Sequence, residues 1–123
     1  MTPEAFRIIV LQLPEVVEGA HMNHPDFRVR GRIFATLGYP SDEFAAIMLT
    51  PAEQAEFVKE GGGAFLPVKG GWGLKGSTSV RLSLASPKLV KRALAAAWAR
   101  KSSTPTRRRR AASPRRSSRG SSA

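Results

Sequence analysis

Three dipeptides set most of what this chain can become: Thr2-Pro3, Thr50-Pro51 and Ser86-Pro87. Each puts a hydroxyl where a helix N-cap belongs and a proline at the first helical position. The hydroxyl oxygen accepts from an orphan backbone N–H, and proline lacks the N–H that would have gone unpaired there. Thr50 has further support, because Glu53 three residues on completes a capping box. The pattern predicts helices over residues 3–11 or 12, 51–59 and 87–100. In the first, Phe6, Ile9, Val10 and Leu13 recur at helical spacing and Pro14 stops the run. In the second, Ala55 and Val58 are expected to be buried with Phe57 at the flank, and Gly61-Gly62-Gly63 ends it. In the third, Leu89, Val90, Ala93, Leu94, Ala97 and Trp98 make the apolar stripe. Lys88, Lys91, Arg92 and Arg100 lie outside that stripe, as a solvated face would.

The stretches between these helices read as strands. Residues 16–21, 26–28, 32–37, 44–49 and 78–84 are candidates, bounded by turn residues. In the last, Val80, Leu82 and Leu84 alternate with Ser79, Arg81 and Ser83. Helices at both ends and in the middle of a mainly antiparallel meander imply an α+β two-layer sandwich with the helices on one face of the sheet.

Charge is placed unevenly. The chain carries a net +11; residues 1–101 hold 13 Lys and Arg against 9 acids, and residues 102–123 hold seven Arg and no acid. That last segment, "SSTPTRRRRAASPRRSSRGSSA", has no large apolar side chain. It cannot bury enough surface to offset the entropy of ordering, so the expectation is one folded domain over 1–101 and a disordered basic tail over 102–123. Its arginines, Arg107, Arg108, Arg109, Arg110, Arg115 and Arg116 among them, suit a polyanion: nucleic acid first, a membrane surface second. The absence of cysteine excludes disulfides and thiolate metal sites. Nothing at the N-terminus looks like a signal peptide, and no apolar run approaches the roughly 20 residues of a membrane span.

The stretch "GAHMNHPDFRVRGRIFATLG" holds both histidines and three arginines at alternate positions. A two-residue turn at Arg30-Gly31 would set Val29 opposite Arg32 and Arg28 opposite Ile33, mixing charge and apolar bulk on each face. A three-residue loop, Val29-Arg30-Gly31, would pair Arg28 with Arg32 and Phe27 with Ile33 and separate the faces. It would also give Gly31 the left-handed position of a G1 bulge, and it is the favoured register. Arg28 and Arg32 would then be neighbours on the wet face with Arg30 at the tip. An anion lying across them, or an ordinary solvated hairpin, both fit that geometry. His21, His24 and Asp26 are metal ligands by type. Their spacing matches no helical metal motif and Pro25 breaks the segment, so a strand end and turn is preferred to a metal site.

In "VKGGWGLKGSTSVRL", residues Gly71 to Gly76 fit the pattern G-x-G-x-x-G. A dinucleotide site is rejected, because that motif should follow a strand and open a helix, whereas this one leads into a strand. One reading has a loop in which Lys69 and Lys75 meet phosphates while Trp72 stacks on a base or sugar. The plainer and preferred one has Trp72 folding back to cap the core.

Together, "LPEVVEGAHMNHPDFRVRGRIFATL", "LTPAEQAEFV" and "VKGGWGLKGSTSVRL" resemble the MmcQ/YjbR family of small bacterial proteins over about residues 3–100. Glu18, His21, His24, Pro25, Asp26, Phe27, Gly31, Phe34, Gly71, Trp72 and Val80 sit on the family's recurring pattern, while Ser77 stands where many members have Trp. The resemblance implies a two-layer α+β fold, akin in shape to secretion chaperones, and DNA binding through a double-wing arrangement. It supplies no catalytic residue. The expectation is therefore a cytoplasmic, non-enzymatic nucleic-acid-binding protein, with DNA as the favoured partner and no cofactor. It would use Arg28, Arg30, Arg32, Lys69, Trp72, Lys75 and the arginines of the tail. The alternatives are a protein-interaction module, chaperone-like or dimeric through an open sheet face, and a metal- or small-molecule-binding protein centred on His21, His24 and Asp26.

Overall fold

The computed structural model describes residues 1–21, 23–39 and 41–103. In chain order the elements are α1 (Pro3–Leu11), β1 (Val16–His21), β2 (His24–Val29), β3 (Arg32–Leu37), β4 (Phe44–Met48), α2 (Pro51–Glu60), β5 (Phe65–Pro67), α3 (Gly71–Leu74), β6 (Ser77–Arg81) and α4 (Pro87–Ser103). These six strands join one antiparallel sheet, in the order β1-β2-β3-β4-β6-β5. The hydroxyl–proline starts are used as expected. Thr2 accepts from the Ala5 N–H, Thr50 and Glu53 form the reciprocal capping box, and Ser86 accepts from the Leu89 N–H.

Because strand side chains alternate, the register assigns each residue to a face. Phe27, Val29, Ala35, Ile47, Val80 and Phe65 point toward the helices and are buried. Phe6 and Val10 of α1, Phe57 of α2, and Val90, Ala93, Leu94 and Ala97 of α4 close over them. The Phe6 and Phe27 rings lie 6.3 Å apart, and Phe57 stacks on Phe65 at 5.8 Å. Polar ties fasten the layers: Arg7 of α1 makes a bidentate pair with Glu18 of β1, and Arg92 and Arg100 of α4 pair with Glu60 and Glu53 of α2. The opposite face carries Val17, Gly19, Asp26, Arg28, Ile33, Thr36, Ala46, Ser79 and Leu66, and no helix among the described residues lies across it. This is the two-layer α+β sandwich read from the sequence.

Four details differ from the sequence reading. The β2–β3 connection is a two-residue turn, not a three-residue loop: Val29 pairs with Arg32 and Arg28 with Ile33, and Arg30 and Gly31 have φ of 54° and 77°. Two successive positive φ values are the signature of a type I′ turn, whose twist suits adjoining strands. The mixing of faces that argued against this turn is repaired within the strand. Phe27 pairs with Ala35, so the ladder skips Phe34, and this bulge returns Phe34, Ala35 and Leu37 to the core. Second, β5 has only three residues, too few for periodicity to reveal, and residues 71–74 wind into one helical turn rather than a plain loop. Because β5 and β6 are antiparallel, that turn is still no dinucleotide-binding crossover. Third, Phe57 rather than Ala55 is buried in α2, drawn in by the Phe65 ring. Fourth, β6 ends at Arg81, leaving Leu84 exposed, and α4 runs on to Ser103.

Candidate nucleic-acid interface

Strand direction decides which connections share an end of the sheet. β2 runs toward the Arg30-Gly31 turn, and β4 and β5 run the same way. The β2–β3 turn, the β4–α2 junction and the 68–76 connection therefore lie at one end. With neighbouring strands about 4.8 Å apart, the Arg30 turn and the 68–76 connection are about 14 Å apart across that end, three strand spacings. α4 also finishes there. Its Arg100 donates to Glu53 Oε1 at 2.5 Å and to the Met48 carbonyl, both beside the end of β4.

The cations that gather at this end come from distant parts of the chain. Arg30 is exposed at the turn tip, and Lys69 and Lys75 are exposed on the 68–76 connection. Lys101 sits in the last turn of α4, half-buried. Its ammonium is held below the ordinary lysine value of 10.5, first by burial and then by repulsion from Arg100 and Arg32. Among the described residues none of Arg30, Lys69, Lys75 and Lys101 has an acid at ion-pair distance. The acids at this end are Glu15 and Glu53, and Glu53 is taken up by Arg100 and by the Thr50 N–H. At the other end stand Glu4, Asp42, Glu43 and Glu60, with Glu4 and Asp42 lining an open depression of about 310 Å³. Arg81 and Arg92 there are each paired with an acid, and the exposed Lys59 and Lys88 stand at that end too, among these four acids. Sequence reading missed Lys101. Its only signal was its place in the final turn of a helix from which the basic segment departs.

The 68–76 connection is stiff. The Gln54 side chain of α2 donates from one nitrogen to the carbonyls of Gly73 and Ser77, each at 3.0 Å. A Cβ on Gly73 would meet the Val68 oxygen at 1.7 Å, and one on Gly76 the Leu49 oxygen at 1.9 Å. Only glycine lets these backbones approach so closely. From this seat Trp72 projects outward, 68% exposed, with the Lys75 ammonium 5.9 Å from its ring centre. Trp72 therefore does not cap the core, contrary to the plainer sequence reading.

The arginines of the hairpin do not form one patch. Arg28 lies on the open face and Arg32 on the helix side, near Lys101. The expected cross-strand neighbours thus project toward opposite sides of the sheet. Arg28 instead clamps Asp26, with Nε to Oδ1 at 2.8 Å and Nη2 to Oδ2 at 3.1 Å. That pairing pushes the Arg28 pKa up, chiefly through the hydrogen bonds and then through charge attraction. Gly19 opposite makes room, since a Cβ there would be 3.0 Å from Asp26 Oδ1. Asp26 is fully buried beneath the guanidinium, so its carboxylate is committed and does not suit a metal site with the histidines. His24 packs edge-on to Tyr39 at 6.0 Å, and the side chain of His21 lies outside what the structure describes. Among the described residues no three His, Asp or Glu side chains are grouped to hold a metal ion. The tail arginines from Arg107 to Arg116, and the expected disorder of residues 104–123, also fall outside the described residues, whereas Ser102 and Ser103, expected to be disordered, belong to α4. No helix among the described residues is long and apolar enough to cross a membrane.

No curated protein matches the sequence. Among solved structures, the crystal structure of Deinococcus radiodurans protein DR2400, described as a DUF419 domain, is similar at 17% identity with a TM-score of 0.64. The match covers 79% of this chain and 75% of that one. At such identity the likeness concerns the fold, and it is the two-layer arrangement described above. A family model described as YjbR matches residues 11–100, most of the chain, and the protein belongs to the YjbR family.

Proposed function

We propose that this protein is a non-enzymatic, cytoplasmic nucleic-acid-binding protein, with DNA as the favoured partner. One observation carries the reading: at one end of the sheet, cations remote in sequence outnumber the acids, and no acid among the described residues is close enough to neutralise Arg30, Lys69, Lys75 or Lys101. Arg30 reaches out from one side of that end and Lys69 and Lys75 from the other, about three strand spacings away. Lys101 stands in the last turn of α4, and the arginine-rich segment continues the chain from there. Phosphates spanning the two protrusions would relieve this crowding, and the arginines beyond residue 103 would add sequence-independent affinity through counterion release.

The test is a titration with duplex DNA at several salt concentrations, using the full chain, a chain lacking residues 104–123, and the shortened chain with Arg30, Lys69 and Lys75 changed to Ala. If about five tail arginines engage phosphates, their contribution to the salt slope is about −4.5, and affinity owed to them falls about 500-fold between 50 and 200 mM salt. The shortened chain is expected to keep weak binding at low salt and to lose it with the triple substitution. A shortened chain with no affinity at low salt would sink the proposal for the folded domain.

The open sheet face favours a second reading, a homodimeric interaction module. Val17 and Leu66 stand there 64% and 54% exposed, with no helix of the described residues over them. That reading expects a concentration-dependent dimer in sedimentation and no effect of the triple substitution on it.

A further inference from the structure

The 68–76 connection holds two large apolar side chains in water and does not let them retreat. Trp72 is 68% exposed and Leu74 82% exposed. Flexible loops shed such exposure by folding side chains back, but this one is pinned. Gln54 bridges the Gly73 and Ser77 carbonyls, Gly73 rests against Val68, and Gly76 rests against Leu49, whose N–H donates to the Gly76 carbonyl. Lys75 approaches the indole, and Lys69 lies at the start of the same connection. An exposed aromatic plane with an ammonium group beside it matches what an unstacked base with its phosphates requires. A duplex hides the faces of its bases, so it could use the lysines but not the indole.

We infer that Trp72 is a stacking platform for an unpaired base, and that the nucleic acid this protein prefers is therefore single-stranded. The inference rests on the nucleic-acid reading above and deepens it: the cations supply attraction to any phosphate chain, and Trp72 selects chains whose bases are free. Lys75 holds a phosphate beside the stacked base.

The experiment compares an oligo-dT strand with a duplex of equal length at one salt concentration, using the full chain and its Trp72→Ala, Trp72→Phe and Lys75→Gln variants. Trp72→Ala is expected to weaken oligo-dT binding about 5- to 150-fold and leave duplex binding unchanged. Trp72→Phe should retain most of the affinity, and Lys75→Gln should weaken both ligands alike. In a Trp98→Phe background Trp72 is the only indole of the chain, and saturation with oligo-dT should quench its fluorescence. Equal loss of both ligands in Trp72→Ala, or unquenched fluorescence at saturation, overturns the inference and leaves the nucleic-acid reading standing. Failure of the unsubstituted chain to bind either ligand overturns both. Unchanged circular dichroism of Trp72→Ala guards against a folding artefact. If that variant unfolds, the fluorescence of the Trp98→Phe chain, which keeps Trp72, decides the matter alone.

Discussion

Replacing Arg30 by Asn should make the protein more stable and a poorer binder at once. Arg30 occupies the first central position of the β2–β3 turn at φ 54°, followed by Gly31 at 77°. Left-handed backbone costs an ordinary L-residue about 1–2 kcal/mol, and Asn, whose short side chain tolerates that region, pays less. Asn-Gly is also the favoured pair for a type I′ turn. The relief is then about 0.5–1 kcal/mol, which for a domain of about 100 residues raises the melting temperature by about 2–8 °C. The same change removes the tip cation, so the salt slope for duplex DNA should become shallower by about 0.9. Arg30→Lys is the control, because it keeps both the charge and the backbone penalty. Thermal denaturation by circular dichroism and a salt titration read the two effects separately. A melting temperature that falls or stays put would show that Arg30 does not sit in a type I′ turn. A rise with an unchanged salt slope would uphold the turn and refute the cationic tip.

Two further substitutions probe the same end. Gly76→Ala forces a Cβ to within 1.9 Å of the Leu49 oxygen at φ 111°; both the clash and the backbone penalty act, so a loss of about 3 kcal/mol or more is expected in urea denaturation, and a shift below about 1 kcal/mol would mean the connection is not clamped. Lys101→Gln tests the cation crowding through pH. Because the folded state lowers the Lys101 pKa below the ordinary 10.5, the unfolded chain binds more protons between the two values, and Lys101 imposes a penalty that is full below its folded pKa and is relieved as pH rises toward 10.5. The variant should therefore melt higher than the parent at neutral pH, by a margin that shrinks as pH climbs through the upper part of that range; a constant margin would contradict the lowering that burial, and then repulsion, impose.

The helices were legible because their signals are local. Thr2, Thr50 and Ser86 each act on the backbone within three residues, and the α4 stripe needs only its own periodicity. The hairpin register was not legible, because the choice depends on a bulge elsewhere in the ladder. Sorting charge from apolar bulk at the turn pointed to a three-residue loop. The chain sorts them by skipping Phe34 instead, and a periodic reading has no means of locating such a skip. The same error carried Arg28 into the candidate site, although Asp26, two residues away on its own strand and therefore on the same face, was the nearer claimant. Trp72 was misplaced for a different reason. Burial of an indole is the ordinary expectation, and the clamp that denies it comes from Gln54 in α2 and from glycine contacts with Val68 and Leu49, none of them adjacent in sequence. Lys101 needed the knowledge of which end of the sheet α4 reaches.

The end that each connection reaches is a matter of parity. In an antiparallel sheet successive connections alternate between ends, so the β2–β3 turn and the β3–β4 loop fall on opposite sides. A direct hairpin from β4 into the next strand would have sent the following connection, with Lys69 and Lys75, to the end that carries Asp42 and Glu43. α2 intervenes as one more antiparallel segment and restores the chain to the far end before β5 begins, so the β5–β6 connection returns to the side of Arg30. α4 then traverses the sheet once more and brings Lys101 there. The polarity is thus a product of topology acting on scattered charges, and it separates two explanations of binding that net charge of +11 alone would leave merged. Exchanging charges between the ends, Asp42 and Glu43 to Lys with Lys69 and Lys75 to Glu, leaves the net charge unchanged. If position matters, the exchanged chain should lose low-salt affinity and its dependence on Trp72 together, although its attraction to polyanions at long range is the same. Undiminished binding by that chain would mean that the protrusions of the folded domain contribute nothing beyond their charge.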